Sequence, residues 1–152
     1  MNGVGFQAYK RTDVITADPK KLVIMCYDGA VYNLKLAKAK FYARDYEAKG
    51  KAIQHALEIL NELRAALDFE KGGEIARNLD SLYSFWAQHI IKADQNKDPR
   101  GLDQVAAMLE EIKSALEEAY FGRSEGQTLP LPFEKPARQP GQGASRDFIL
   151  DR

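Results

Sequence analysis

The sequence predicts an all-α fold, an antiparallel up-down-up-down four-helix bundle between an N-terminal arm and a disordered C-terminal tail. Apolar residues recur at helical spacing in four stretches, and helix start or stop signals bound these stretches. No stretch shows the apolar alternation of a β-strand. One shared core can bury all four apolar stripes. We expect the arm at residues 1–17, the bundle at 18–121 and a Pro- and Gly-rich tail at 122–152.

The first helix is predicted to run from about Pro19 to Arg44. Asp18 can cap free backbone amides, and Pro19 follows where no amide proton is needed. The apolar stripe comprises Leu22, Met25, Tyr27, Gly29, Ala30, Leu34, Ala37 and Phe41. A glycine inside a helix costs about 1 kcal/mol relative to alanine. Gly29 therefore indicates either a close approach by a neighbour or a tolerated surface position.

The second helix is expected to begin after Asp45, whose carboxylate can accept from the first free amides. Its stripe comprises Ile53, Ala56, Leu57, Leu60, Leu63 and Leu67. Two consecutive glycines, Gly72-Gly73, disfavour a continued helix. The third helix is therefore predicted to start near Glu74, with a stripe of Ile75, Leu79, Leu82, Tyr83, Trp86, Ile90 and Ala93.

The fourth helix is expected after Asp98-Pro99, which repeats the start signal of the first. Its stripe comprises Leu102, Val105, Ala106, Leu109, Ile112 and Leu116, and Gly122 ends it. The tail that follows lacks the apolar density to offset its ordering entropy, so we expect it to be disordered. It carries an apolar tip, Phe148-Ile149-Leu150, which is either inert or a short docking peptide.

Composition narrows the possible classes of protein. The chain is one domain long, and 22 Lys and Arg balance 22 Asp and Glu, so overall charge does not indicate a nucleic-acid partner. No apolar run is long enough to predict a transmembrane helix, and the N-terminus lacks the features of a signal peptide. A single cysteine, Cys26, allows no internal disulfide. We expect a cytoplasmic protein without membrane insertion.

The residue patterns of catalytic and metal sites are missing. Di-iron bundles use Glu-x-x-His pairs, but Ala52 and Trp86 stand three residues before His55 and His89. The sequence has no Cys/His cluster for zinc and no haem-attachment motif, and Gly72-Gly73 lacks the Lys-Ser/Thr of a phosphate-binding loop. We therefore expect no enzymatic activity, no metal and no cofactor.

The apolar faces of the first two helices are broader than a single stripe. Tyr32, Leu36 and Ala39 lie off the stripe of the first helix. Ile59 and Ala66 lie off the stripe of the second. A broad apolar surface indicates either a partner groove or a core that is wrapped on more sides, and the residues alone do not separate the two.

Several short motifs resemble those of one protein family when they are taken in order. They are Ala8-Tyr9, Thr16-Ala17-Asp18-Pro19, Tyr27-Asp28-Gly29-Ala30, Lys51-Ala52-Ile53, Ile59-Leu60-Asn61-Glu62-Leu63, Leu67-Asp68, Gly73-Glu74-Ile75-Ala76-Arg77-Asn78-Leu79 and Leu82-Tyr83. Over residues 6–121 their order and spacing resemble the FliS family of flagellar export chaperones. Cys26 departs from the family's usual leucine, and Leu116 stands near where many members carry tryptophan. Both replacements are apolar, so they bear on the binding surface and not on the fold.

The resemblance implies a function and a set of binding residues. Family members bind the disordered C-terminal segment of flagellin in the cytoplasm, prevent its premature polymerisation and support its delivery to the flagellar type III export gate. No nucleotide or metal is needed. Partner contacts are expected at Phe6, Tyr9, Val14, Tyr27, Asp28, Gly29, Tyr32, Ile59, Leu63, Leu67, Leu79 and Tyr83. The resemblance also implies that the arm is a gate that folds over the client-binding surface when no client is bound.

Two other function classes stay open. The main alternative is a self-assembling structural helical bundle without a client, and a homodimer of the free chain is left open as well. The other is a cofactor-binding bundle, and the low number of histidines, two, makes this class less favoured. The arm and the off-stripe apolar residues favour a client.

Overall fold

The structure, a computed structural model, describes residues 19–122 as four α-helices. They are α1 (Pro19–Tyr42), α2 (Tyr46–Ala65), α3 (Phe69–Gln95) and α4 (Pro99–Phe121). This confirms the all-α bundle. The expected cap Asp18, the arm residues Phe6, Tyr9 and Val14, and the tail with its Phe148-Ile149-Leu150 tip lie outside the described residues.

The helices follow one another around the bundle. α1 packs mainly against α2 and α4, and α3 packs against the same two helices, so α1 and α3 lie diagonally opposite. Ion pairs between neighbours show the antiparallel directions. On the α2–α3 boundary, Lys49 pairs with Asp94 at 2.6 Å and Arg64 with Asp80 at 2.6 Å. Higher numbers on one helix meet lower numbers on the other, as up-down-up-down topology requires.

The turns after α1 and α3 are built alike. Arg44 and Lys97 both adopt a left-handed conformation, with φ of 64° and 55°. The next residue closes each helix, because Asp45 N donates to Lys40 O and Asp98 N donates to Ala93 O, both at 2.9 Å. Asp45 is the N-cap of α2, as expected from the sequence. The expectation that the first helix reaches Arg44 is wrong by two residues, because Arg44 is left-handed and cannot continue it.

The third helix, α3, consists of a short first turn and a long helix that are separated by a kink at Gly73. Asp68 caps a first helical turn by accepting from the backbone N–H groups of Glu70 and Lys71, at 3.0 and 2.9 Å. A short helical turn therefore begins at Phe69, and the long helix after the kink begins at Glu74, where the sequence predicts it. The predicted break falls at Gly73, whose φ of 52° and ψ of −125° kink the helix there. Such a backbone suits glycine because it has no Cβ.

The core of the bundle is centred on three aromatic side chains. Tyr27 comes from α1, and Tyr83 and Trp86 come from α3, so they meet across the diagonal. Their ring centroids lie between 5.8 and 6.4 Å apart. Tyr27 contacts the other two rings edge-on, which is favourable for aromatic rings at these distances. Smaller residues, such as Ala30, Ala52 and Ala56, also belong to this core.

Candidate functional site

α1 is buried on more sides than a bundle core alone requires. All six residues from 22 to 27 are buried, and successive residues on a helix point about 100° apart. Val23, Tyr27 and their stripe belong to the main core. Leu22 and Met25, exposed by only 2% and 6%, form a separate small cluster. α1 therefore has a second apolar face.

The position of this second face follows from the contacts of α1 with α4. Lys38 pairs with Asp103 at 2.5 Å, and Asp28 accepts from Lys113 Nζ at 2.8 Å. These pairs mark the α4 side of α1. Residues at positions 22, 25, 29, 32, 33 and 36 recur every three or four residues on the other side. The second face therefore lies beside α2.

A flank of α2 adjoins the second face of α1. Lys49 and Arg64 mark the α3 side of α2 through their ion pairs. Half-buried His55 and buried Glu62 lie seven residues apart on the opposite flank, so they face α1. We call the second face of α1 together with this flank the α1–α2 face. It combines apolar side chains with a carboxylate and an imidazole.

A local hydrogen bond lies in the middle of the second face. Gly29 is buried, and its carbonyl accepts from Asn33 Nδ2 at 2.8 Å. This bond stays within one turn and orients the buried Asn33 amide. Next to Gly29, the Asp28 carboxylate raises the pKa of Lys113 through their hydrogen bond. The Asp28–Lys113 hydrogen bond therefore joins the opposite side of α1 to α4.

The expected binding residues divide into two groups in the structure. Tyr27, Ile59, Leu63, Leu67, Leu79 and Tyr83 belong to the main core and expose almost no surface. Gly29 and Tyr32 lie on the α1–α2 face, whereas Asp28 faces α4. The sequence pattern does not single out Asn33 and Glu62, which are buried, and it places Leu22 and Met25 in the main stripe. The spacing 22, 25, 29, 32, 36 could have shown a second stripe.

The two buried tyrosine hydroxyls of the core hydrogen-bond to each other. The hydroxyls of Tyr27 and Tyr83 share a hydrogen bond of 2.8 Å. Burial raises the pKa of both phenols, so both stay neutral at ordinary pH. Within residues 19–122, no group of three or more His, Cys, Asp or Glu side chains could hold a metal ion. None of the four helices is long and apolar enough to cross a membrane.

Comparison with known proteins identifies the family. The model of the family described as "Flagellar protein FliS" matches residues 2–122. The flagellar secretion chaperone FliS of Vibrio cholerae is 41% identical over 113 residues, which cover 72% of this chain and 83% of that protein. FliS of Salmonella typhimurium is 36% identical, over 73% of this chain and 86% of the relative. FliSB of Pseudomonas aeruginosa is 37% identical, over 66% and 80%. The chain therefore belongs to the FliS family of flagellar secretion chaperones, which is not a family of enzymes.

Proposed function

We propose that this chain is a cytoplasmic export chaperone for flagellin. It binds the disordered C-terminal segment of flagellin, prevents premature polymerisation and supports delivery to the flagellar type III export gate. Family membership supports a flagellar client. The single observation that carries the proposal further is the second apolar face of α1, which lies outside the main core at Leu22 and Met25.

The α1–α2 face has the chemistry that an amphipathic peptide needs. A disordered client can fold as a helix and lay its apolar side against a groove. Apolar burial contributes about 25 cal/mol per Å², from which the ordering entropy of the client is subtracted. Buried Asn33 and Glu62 and half-buried His55 add polar groups that can select the register of the peptide.

The N-terminal arm acts in this proposal as a gate for the same face. Phe6, Tyr9 and Val14 are its apolar anchors. An arm that competes for the face lowers the fraction of chains that are open to the client, and the apparent affinity falls by that fraction. The proposed contact residues are thus Phe6, Tyr9, Val14, Gly29 and Tyr32. The expected binding residues that lie in the main core support this face through their packing and do not contact the client directly.

A calorimetric titration of the full chain tests this function. The ligand is the C-terminal segment of flagellin from the same source, and circular dichroism follows its helix content. We expect binding at about one to one, with a gain of helix in the peptide. Tyr32→Ser should weaken binding at least about fivefold, since tyrosine is enriched among the interface residues whose truncation costs more than about 1 kcal/mol.

Tyr42→Ser is the matched control for Tyr32→Ser. It makes the same change on the same helix, but Tyr42 is 63% exposed at the end of α1 and lies off the α1–α2 face. We expect it to leave the affinity unchanged. Absence of binding by an intact flagellin tail would refute the client. A chain that instead self-associates in sedimentation would be the structural bundle.

A further inference from the structure

A second apolar surface lies on the opposite side of the bundle and begins with a row on α3. Ile75, Leu82, Phe85 and His89 recur every three, four or seven residues and therefore share one side of the helix, together with the exposed Asn78. Phe85 is 51% exposed and Ile75 is 43% exposed. Two large exposed apolar side chains on one side of a helix, with half-buried Leu82 between them, form a candidate contact surface.

A matching row lies on α4. Met108 and Ile112 are half-buried against the core, and Ala115 on the same side is exposed. The rows meet where His89 Nε2 and Gln104 Oε1 lie 2.8 Å apart. From that bond the antiparallel register places Phe85 beside Met108 and Leu82 beside Ile112. We call the space between the two rows the α3–α4 groove.

The boundaries of the bundle differ in how they are closed. Ion pairs cross the α1–α4 boundary, for example Lys38–Asp103, and the α2–α3 boundary, for example Arg64–Asp80. Between residues 19 and 122 no ion pair crosses from α3 to α4. Below His89 and Gln104 the outer edge of this boundary is mostly apolar, and Asn78 is its polar exception. An occupant of the groove should therefore be apolar and need little charge.

We propose that residues 129–133 of the chain's own C-terminal tail occupy the α3–α4 groove. Their sequence is Leu-Pro-Leu-Pro-Phe, with three large apolar side chains and two prolines. Prolines favour an extended polyproline II conformation, so the segment loses little entropy when it binds. Extended proline-rich segments dock in grooves that aromatic side chains line, and Phe85 supplies such a side chain.

The tether between α4 and this segment is long enough to reach the groove. α4 ends at Phe121, and the antiparallel register places that end next to the start of the α3 row near Ile75. The chain from Gly122 to Leu129 spans at most about 25 Å. The groove from His89 to Ile75 is about 21 Å long, so the segment can fold back into it.

If the tail occupies the groove, the two apolar surfaces have different uses. The tail covers Phe85 and Ile75, which otherwise offer a contact to other chains. The α1–α2 face stays available to the arm or to a client. The tail tip, Phe148-Ile149-Leu150, is not needed for this contact.

Methyl NMR spectra of the full-length chain test the proposal. Serine replaces Leu129, Leu131 and Phe133 together in one variant, and Phe148, Ile149 and Leu150 together in the matched control. We expect the first variant to shift the methyl signals of Ile75, Leu82 and Ile112. The control should leave those signals in place, and the core signals of Ile53 and Ile59 should stay unmoved in both.

A change in the groove itself gives the reciprocal measurement. Ala115→Arg places a charged side chain at an exposed position of the α4 row. It should shift the methyl signals of Leu129 and Leu131 while the thermal unfolding curve of the bundle is kept. Signals that respond to the tip variant instead would make the tip the occupant. Signals that move on dilution of the native chain would indicate a second copy, and signals unmoved by any variant would show no tail contact. Each of these results overturns the proposal.

Discussion

Gly101 and Gly50 differ in the space that surrounds their backbones. A Cβ at Gly101 would lie 2.5 Å from the Ala93 Cβ, so α3 and α4 approach closely there. A Cβ at Gly50 would meet nothing within 4 Å. One glycine is therefore required by packing, and the other only weakens its helix.

The same substitution should have opposite effects at the two sites. We expect Gly101→Ala to lower the free energy of unfolding by about 1–3 kcal/mol, because the crossing of α3 and α4 must widen. Gly50→Ala should raise it by about 0.5–1 kcal/mol, because alanine is the better helix former. Urea denaturation of both variants measures this. Equal shifts of the same sign would show that the two helices do not meet closely at Gly101.

At the scale of the elements, the turns after α1 and α3 have the same backbone conformation and the same type of cap. Arg44 and Lys97 take left-handed conformations that cost a residue with a Cβ about 1–2 kcal/mol. Each is followed by an aspartate, and Asp45 and Asp98 then cap the next helix. Each turn thus combines a helix end and a helix start, which keeps the connections of the bundle short.

Glycine in place of the left-handed lysine should stabilise the protein. We expect Lys97→Gly to raise the free energy of unfolding by up to about 1 kcal/mol, since glycine adopts positive φ without steric cost. Lys92→Gly, which makes the same change in the last turn of α3, is the control and should lower it by about 1 kcal/mol. Thermal unfolding compares the two. A loss of stability in both would mean that the turn does not hold Lys97 in a strained conformation.

Ion pairs determine the neighbours of each helix more than they stabilise the bundle. Lys35–Glu110 and Lys38–Asp103 join α1 to α4, and Lys49–Asp94 joins α2 to α3. Exposed pairs of this kind contribute about 0–1 kcal/mol each. The reverse topology would place like charges on these boundaries. Their main effect is therefore to favour one arrangement of the helices over another.

At the scale of the whole molecule, burial of three phenols predicts an alkaline limit to folding. Burial raises the pKa of Tyr120 to about 12 and raises those of Tyr27 and Tyr83 as well. In the unfolded chain these phenols titrate near pH 10. The folded state therefore holds more protons, and its stability is fully present below about pH 10. It is lost as the pH rises from there through the folded pKa values.

Urea denaturation at a series of pH values checks this expectation. The midpoint should fall steadily between about pH 10 and pH 12. Tyr120→Phe should reduce that fall, because one of the three buried phenols is then missing. Phenolate absorbance from Tyr27 and Tyr83 should appear only together with unfolding. Reversible ionisation of all tyrosines in the folded chain near pH 10 would contradict the predicted shifts.

Deletion of residues 1–15 tests the arm as a gate. We expect the affinity for the flagellin C-terminal segment to rise, because the fraction of chains with an open α1–α2 face increases. The calorimetric titration of the full chain is the reference, and thermal unfolding controls for a change in stability. A fall in affinity would indicate that the arm clasps the client. An unchanged dissociation constant, with unchanged stability, would make the arm a passive leader.

The sequence by itself determined the four helices and most of their ends. Asp45 and Asp98 cap helices, Gly73 breaks one and Gly122 ends one because caps and breaks depend on backbone groups only a few residues away. The apolar stripes also identified most of the core, since helical periodicity relates sequence position to helix face.

Only the tertiary structure decided which residues meet across the bundle and which apolar side chains lie outside its core. Tyr27 and Tyr83 stand 56 positions apart and share a hydrogen bond, and Gly101 closes on Ala93. Leu22 and Met25 fit the main stripe by spacing but form a face of their own. When an apolar stripe is wider than one helix interface, the sequence does not specify which helix each of its residues contacts. Their identity depends on how the volumes of distant side chains fill a shared interior, which no local pattern encodes.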